Sequence, residues 1–231
     1  MKSDRAIFFT HYKVGTLEKI NSGHIEDLNP DWDFYTIGFE GHDLLGGSLI
    51  ANRIPYPNNV GLSVYSNIGM PPDWYDCDLL FCEAQRLKPK YKHYFFIEYD
   101  TICNVPIEDF FDIRGDFFGS NIETDVKDWE WVQRYKNFDN SEDMDFAGSG
   151  QSTAVYFSSP ILKKYRSEIT KNKRLYSNML CELRLGTIMK KLGVLKNSRE
   201  DINRYINWST EELYIDTNID YFYHPVKQFI K

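Results

Sequence analysis

The sequence has no apolar run long enough to cross a membrane and no excess of positive charge. Its first apolar stretch, residues 6–10, turns polar at His11 and is therefore too short for a signal peptide. No later stretch reaches the length of a bilayer-spanning helix. The formal net charge of -7 argues against a nucleic-acid backbone as the main partner. These absences predict a cytoplasmic protein with no transmembrane segment and no nucleic-acid partner.

Cysteine is scarce, and none of the four residues belongs to a C-x-x-C pair. They are Cys77, Cys82, Cys103 and Cys181. Because structural zinc sites usually use closely paired thiolates, this spacing does not favour zinc. We expect four reduced thiols, most of them buried, as is usual in the cytosol.

Length and composition predict a single α/β domain over residues 1–231. A chain of 231 residues that is 42% hydrophobic can bury a sizeable core. Aromatic residues make up 16% of the chain. Much of that content belongs in the core, but sugar-binding sites also use aromatic faces.

Alternating strand-like and helical patterns predict a mixed, mostly parallel central sheet flanked by helices. The opening strand, helix and strand form the start of a βαβ unit, and residues 41–72, rich in Gly, Pro and Asn, predict a long loop. The predicted strands are residues 6–11, 33–39, 94–97, 116–122, 153–157 and 221–227. The predicted helices are residues 16–28 with an interruption near Gly23, 76–87, 107–111, a helix starting at Ile161, and 176–192.

Two other segments are candidates for contact with a substrate. Trp129 and Trp131 share one face if their segment is extended. That face would either stack on a sugar or pack into the core. Residues 148–152 are polar and rich in Gly and Ser, and we expect them to be flexible and near that sugar.

The most informative segment is an apolar run that ends in two acidic residues. Residues 94–97 are typical of a buried strand, and Glu98-Tyr99-Asp100 follows directly. Ligands of open α/β sheets bind beyond the carboxyl ends of the strands. Two carboxylates there suit Mg²⁺ or Mn²⁺, which usually shares its coordination with substrate phosphates. The motif therefore predicts group transfer from a donor that carries a diphosphate.

Together these segments resemble the nucleotide-sugar glycosyltransferases of the GT-A fold. The resemblance rests on the βαβ start at 6–39, the strand with its DxD-type motif at 94–100, Cys-Glu-Leu-Arg-Leu-Gly-Thr at 181–187, and His-Pro-Val-Lys at 224–227. It covers most of the chain in order, and it departs from strict DxD because Glu98 takes the first position. The resemblance implies a Rossmann-like domain in which residues 1–100 bind the nucleotide sugar and residues 101–231 bind the acceptor.

The resemblance also implies roles for particular residues. Glu98 and Asp100 would hold Mn²⁺ or Mg²⁺ together with His224, and Lys227 would contact a phosphate. The base and ribose of the donor would lie near the residues after the first two strands. Those residues are Thr10, His11, Tyr12, Gly38, Phe39 and Glu40. Asp78 is a further donor-binding candidate, although the helix dipole alone explains an acidic residue there.

An inverting transfer needs a carboxylate that takes the proton of the acceptor hydroxyl. Glu182, in the predicted amphipathic helix, is the first candidate. Glu212 is the second, and its capping-box spacing after Ser209 also gives it a structural explanation. The expected partners are a UDP- or GDP-sugar donor and a glycan acceptor.

Two other functions fit parts of the pattern. A nucleotidyltransferase would also use paired acids and Mg²⁺, but it would normally carry a Gly-rich, basic loop after its first strand. Residues 10–15 supply only one Lys and one Gly. Alternatively, the chain would be a non-catalytic module that binds glycans or nucleotides through its aromatic residues.

Overall fold

A computed structural model describes most of the chain in five long segments and four short strands. The long segments are residues 3–52, 76–110, 115–139, 148–176 and 179–194. The short strands are residues 206–208, 212–214, 222–224 and 228–230. None of the helices in these ranges combines the length and the apolar composition that crossing a membrane requires.

A six-stranded sheet organises the described residues, with the strand order β3-β2-β1-β4-β7-β6. Its strands are β1 (Arg5–Thr10), β2 (Asp33–Phe39), β3 (Leu49–Ala51), β4 (His93–Glu98), β6 (Phe117–Glu123) and β7 (Ser149–Ser158). Strands β3, β2, β1 and β4 are parallel to one another, and β7 is antiparallel to both β4 and β6. Five of the six strands therefore run in one direction, and the predicted mixed, mostly parallel sheet is confirmed.

Helices lie between these strands along the chain and after the last of them. They are α1 (Thr16–Leu28), α2 (Leu79–Leu87), α3 (Ile107–Phe110), α4 (Glu130–Asp139), α5 (Ser159–Lys171), α6 (Lys173–Tyr176) and α7 (Cys181–Lys191). Pro160 lies in the first turn of α5, where its missing N–H is tolerated.

Alternating side chains of the sheet divide the core into two layers. Phe8 and Phe96 pack with the layer that contains α2, α5 and α7. Phe9 and Ile97 face the opposite layer, which includes Ile25 of α1. Because strand residues alternate between faces, an uninterrupted apolar run such as that of β4 fills both layers. Its four central residues are fully buried.

Several boundaries differ from the sequence prediction. Helix α1 continues through Gly23 without a break. Of residues 148–152, expected to be flexible, residues 149–152 instead begin β7. The amphipathic helix predicted for 176–192 begins only at Cys181, because the backbone carbonyls of Tyr176 and Met179 are bound by a side chain of the helix itself. Trp129 and Trp131 pack against the core at the start of α4, which is the core alternative.

Two smaller sheets involve the C-terminal residues. Strand β5 (Ile102–Cys103) pairs with β10 (Phe222–His224), and β10 pairs with β8 (Ile206–Trp208). Strands β9 (Glu212–Tyr214) and β11 (Gln228–Ile230) pair with each other. Strand β10 thus lies beside the residues that directly follow the Glu98-Tyr99-Asp100 motif. All four cysteines lie within the described ranges and are free thiols, as predicted.

Candidate functional site

The candidate site lies at the carboxyl edge of the three central parallel strands. The register of the sheet pairs Thr10 with Ile37 on one side and with Glu98 on the other. The segments that follow β1, β2 and β4 are therefore neighbours, although they are far apart in sequence. This edge is where open α/β sheets bind ligands.

The acidic motif forms a turn that is fixed by α1. The amide of Thr101 donates to the carbonyl of Glu98 at 3.0 Å. Asn21 of α1, fully buried, donates from Nδ2 to the carbonyls of Tyr99 and Thr101, both at 2.8 Å. Glu98 is half-buried, and Asp100 is 6% exposed. The turn thus places two carboxylates at the sheet edge, and hydrogen bonds from Asn21 fix its backbone.

Two tyrosines and a lysine form a cluster above this turn, which we call the Tyr12–Tyr99 cluster (Tyr12, Lys13 and Tyr99). The hydroxyl groups of Tyr12 and Tyr99 are 2.8 Å apart, and their rings meet edge to face at 4.9 Å between centroids. The Lys13 ammonium lies over both rings, at 5.6 Å from Tyr12 and 5.3 Å from Tyr99. Tyr12 is 41% exposed, so the cluster offers an aromatic and cationic surface beside the two acids.

Glu18, a residue that the sequence did not single out, supports this cluster. Its carboxylate is buried, lies 3.8 Å from the Lys13 ammonium, and reaches back under Gly15 at the start of α1. A Cβ at position 15 would collide with Oε2 of Glu18. One weak signal of this role is present in the sequence, namely an acidic residue in the first turn of a helix. Acidic residues are common at that position because of the helix dipole alone, so the signal is not specific.

The other residues predicted after β1 and β2 are mostly buried. Thr10 donates to the carbonyl of Ile97 at 3.4 Å. The ring of His11 is bound through Nδ1 to the carbonyl of Lys13 at 3.1 Å, and burial lowers the pKa of His11. Phe39 belongs to the core, which argues against its predicted contact with the donor.

Gly38 and Glu40 contribute in different ways. Gly38 is buried beneath the carbonyl of His11 and the side chain of Leu44, with no room for a Cβ. Glu40 is exposed, and its amide donates to the carbonyl of Ala51 at 3.0 Å. Of the six residues predicted after the first two strands, Tyr12 and Glu40 therefore face solvent at the edge, while the buried ones shape the backbone beneath it.

The later candidates fall in the C-terminal strands. His224 ends β10, whose Tyr223 pairs with Ile102. The backbone of His224 is thus brought beside the segment that follows Asp100. Glu212 begins β9, in the separate two-stranded sheet. Lys227 lies outside the described residues.

The donor atoms at the edge fit a hard divalent cation. Carboxylate oxygens are the ligands that Mg²⁺ and Mn²⁺ prefer, and Glu98 and Asp100 supply them on a turn whose carbonyls are fixed by Asn21. Within the described ranges, no three His, Cys, Asp or Glu side chains are grouped closely enough to hold a metal alone. Two carboxylates suit an ion that takes its remaining ligands from a diphosphate and from a residue such as His224.

Glu182 lies in the first turn of α7, and burial raises the pKa of its carboxyl to about 7. Among the described residues it forms no hydrogen bond or ion pair. Further along α7, the hydroxyl of Thr187 lies 3.3 Å from the amide of Gly148, just before β7. Because β7 is antiparallel to β4, its first residues reach past the carboxyl end of β4. Glu182 is therefore carried on a helix that packs toward the same edge.

Asp78 is fully buried at the residue that precedes α2. Its carboxylate accepts from Arg184 Nε at 2.7 Å and also binds Nη2 of Arg184 and the hydroxyl of Tyr165. A carboxylate enclosed and satisfied in this way is not available to a ligand. Its surroundings therefore argue against the predicted donor contact and give Asp78 a structural role.

No protein-family model matches the sequence, and the comparison with curated proteins finds no match. Similar solved structures include a glycosyltransferase involved in the glycosylation of the major capsid of PBCV-1, at 11% identity and a TM-score of 0.47, covering 95% of this chain and 91% of that one. Another is the galactosyltransferase LgtC in complex with donor and acceptor sugar analogues, at 12% identity and a TM-score of 0.46, with 88% and 76% covered. A third is core-mannan synthase A from Aspergillus fumigatus in an Mn/GDP form, at 11% identity and a TM-score of 0.44, with 81% and 70% covered. The likeness of these structures to this chain is a likeness of fold.

Proposed function

We propose that the chain is a metal-dependent glycosyltransferase that moves a sugar from a nucleoside-diphosphate sugar to a hydroxyl group of a glycan. The observation that carries this proposal is the register of the central strands. It brings the turn at Glu98 and Asp100 next to the residues after Thr10. Two carboxylates and an exposed aromatic cluster thus share one sheet edge, which suits a ligand that has both a diphosphate and a flat base.

Each part of the edge has a task in this proposal. Glu98 and Asp100, with His224, would hold Mn²⁺ or Mg²⁺, and the ion would offset the charge that grows on the departing diphosphate. The Tyr12–Tyr99 cluster would contact the nucleoside, and Lys13 would favour an anionic ligand over a neutral one. A UDP- or GDP-sugar meets these requirements. The overall charge of -7 makes such local positive charge necessary for an anionic donor.

Glu182 would act as the general base in an inverting reaction. Its carboxylate takes the proton of the acceptor hydroxyl while the oxygen attacks the anomeric carbon, and the bond to the diphosphate breaks on the opposite side. A carboxyl whose pKa is about 7 is well matched to that proton transfer near neutral pH. Glu212 remains the alternative base.

A screen of nucleotide sugars tests the proposal, with donor hydrolysis and transfer measured in the presence of Mn²⁺. Asp100→Asn should reduce turnover on the order of 10²–10³-fold, because one charged ligand at the transferring centre is lost. Its circular dichroism and melting temperature should stay close to those of the wild type. Asp27→Asn is the matched control, since Asp27 is exposed on α1. Equal activity of the two variants would remove the metal role of Asp100.

A further inference from the structure

Arg184 is a fully buried residue of α7 whose guanidinium joins three segments of the chain. Nε donates to Asp78 Oδ2 at 2.7 Å, and Nη2 binds Asp78 Oδ1 and, at 3.2 Å, Asp76 Oδ1. Nη1 donates to the carbonyls of Tyr176 at 2.9 Å and Met179 at 3.2 Å. A guanidinium has five N–H groups, and all five have an acceptor here.

These bonds fix the start of α7 in space. One anchor is the turn before α2, which carries Asp76 and Asp78. The other consists of Tyr176, which ends α6, and Met179, which lies just before α7. Tyr165 of α5 binds the same Asp78 carboxylate. The first turn of α7 is therefore tied to α2, α5 and α6 through a single side chain.

Glu182 lies in that first turn and depends on its placement. It is two residues from Arg184, which in a helix separates the two side chains by roughly 200°. The carboxyl of Glu182 thus points away from the Arg184 bonds. Because no described residue bonds to Glu182, its position follows from the backbone that Arg184 holds.

Arg184 also holds Glu182 in surroundings that raise its pKa. Burial is the cause of that shift, and no neighbouring charge contributes to it. Among the described residues, the titratable groups around this turn are Cys181, Glu182 and Arg184 on α7, Asp76, Cys77 and Asp78 before α2, Cys82 on α2, and Tyr165 on α5. The effect of Arg184 on the pKa of Glu182 therefore comes through the position of the turn.

We propose that Arg184, with Asp78 as its counter-ion, is a positioning residue that sets both the location and the protonation of Glu182. This inference rests on the proposed function, in which Glu182 is the base. Buried ion pairs add little net stability compared with apolar packing. The use of all five donors of a buried arginine to fix one helical turn is therefore better explained by a need to place that turn accurately.

Two variants separate the two effects. Arg184→Lys keeps the charge but loses the five-donor geometry, so kcat should fall about 10–100-fold while the KM for the donor stays within about twofold. Asp78→Asn keeps the guanidinium but removes one of its two carboxylate partners, so the first turn of α7 should loosen. Water that reaches Glu182 should then lower its pKa and shift the acidic limb of the kcat–pH profile down by about one pH unit.

Asp76→Asn is a milder form of the second change, because the Asp76 side chain is 30% exposed, and it should shift the limb in the same direction by less. Arg166→Lys is the control. Arg166 is a partly buried arginine of α5 that bonds to Gln85 at 3.1 Å and makes no bond to α7. A loss of kcat in Arg184→Lys that matches Arg166→Lys, with unmoved pH limbs in both Asp variants, would overturn the proposal.

Carbon-13 NMR of the glutamate carboxyls gives a readout without substrate. The resonance that disappears in Glu182→Gln identifies Glu182, and its titration midpoint in Asp78→Asn and Asp76→Asn should move down as the pH profile does. A midpoint shift in a protein that turns over no nucleotide sugar would support the coupling of Arg184 to Glu182 and refute the proposed function. An unmoved midpoint in both Asp variants would refute the coupling, whatever the activity.

Discussion

At the scale of single residues, an acid whose pKa is raised by burial and which bonds to no described residue reduces stability and is therefore informative. Burial raises the pKa of Glu182 from 4.5 to about 7. Between these two pH values, the folded protein keeps a proton on Glu182 that the unfolded chain has already released. By linkage, stability falls as pH rises through this window. A neutral side chain at this position would avoid that cost, which favours a functional role for the acid.

Glu182→Gln should therefore stabilise the protein at pH 8 and have little effect at pH 4.5. The expected gain at pH 8 is about 3 kcal/mol, since the pKa rises from 4.5 to about 7 and one pKa unit corresponds to about 1.4 kcal/mol. Urea unfolding of both proteins at the two pH values measures it. A difference in unfolding free energy that does not change with pH would show that Glu182 titrates normally.

Residue types at the site were predictable from sequence only where local pattern marks them. Glu98 and Asp100 follow an apolar strand, and that context alone placed them at the sheet edge. Glu18, Asn21 and Arg184 are polar residues of helices. Such residues are mostly exposed in proteins, so the sequence alone predicts that they face solvent. Their burial depends on contacts with distant segments, which no local pattern records.

At the scale of secondary-structure elements, two glycines in different surroundings have opposite expected effects. Gly23 lies within α1, and a Cβ there would meet no atom within 4 Å. Gly38 lies near the end of β2, and a Cβ there would collide with Leu44 and with the carbonyl of His11. The first position has room for a side chain, whereas the second brings two backbone segments together at the site.

Gly23→Ala should raise the free energy of unfolding by about 0.5–1 kcal/mol, because alanine has the higher helix propensity. Gly38→Ala should lower it by about 1–3 kcal/mol, because the neighbouring backbone must move, and it should weaken donor binding through the displaced residues after β1. Thermal unfolding and calorimetry with nucleotide sugars compare the two. Stabilisation by Gly38→Ala would contradict the close approach of the two strand ends.

Elements were predicted well where pattern and packing agree. Strand β2 has the predicted bounds, and α1 differs only in lacking the break at Gly23, since one glycine costs a helix about 1 kcal/mol and packing of its apolar face offsets that. The helix predicted from 176 begins five residues later because Arg184 captures the carbonyls of Tyr176 and Met179. Side chains that bind backbone in this way override the apolar period.

At the scale of the whole molecule, long-range pairing brings the C-terminal strand β10 to the acidic motif. Strand β5 begins two residues after Asp100, and its Ile102 pairs with Tyr223. The order of motifs in the sequence suggested a late histidine ligand by resemblance, but only the pairing supplies a physical route by which residue 224 reaches residue 100. Contacts over such separations are fixed by the sheet and not by local sequence.

His224→Ala should raise the Mn²⁺ concentration that gives half-maximal turnover about 10–100-fold, because imidazole is a good ligand for this ion and its loss leaves the two carboxylates to hold it. Turnover at saturating Mn²⁺ should recover in part, since the acids remain. His24→Ala is the control, as His24 on α1 is hydrogen-bonded to Asn104 at 3.1 Å. If the metal titration of His224→Ala superimposes on those of His24→Ala and the wild type, β10 serves to cover β5, and the ion takes its third protein ligand elsewhere or has none.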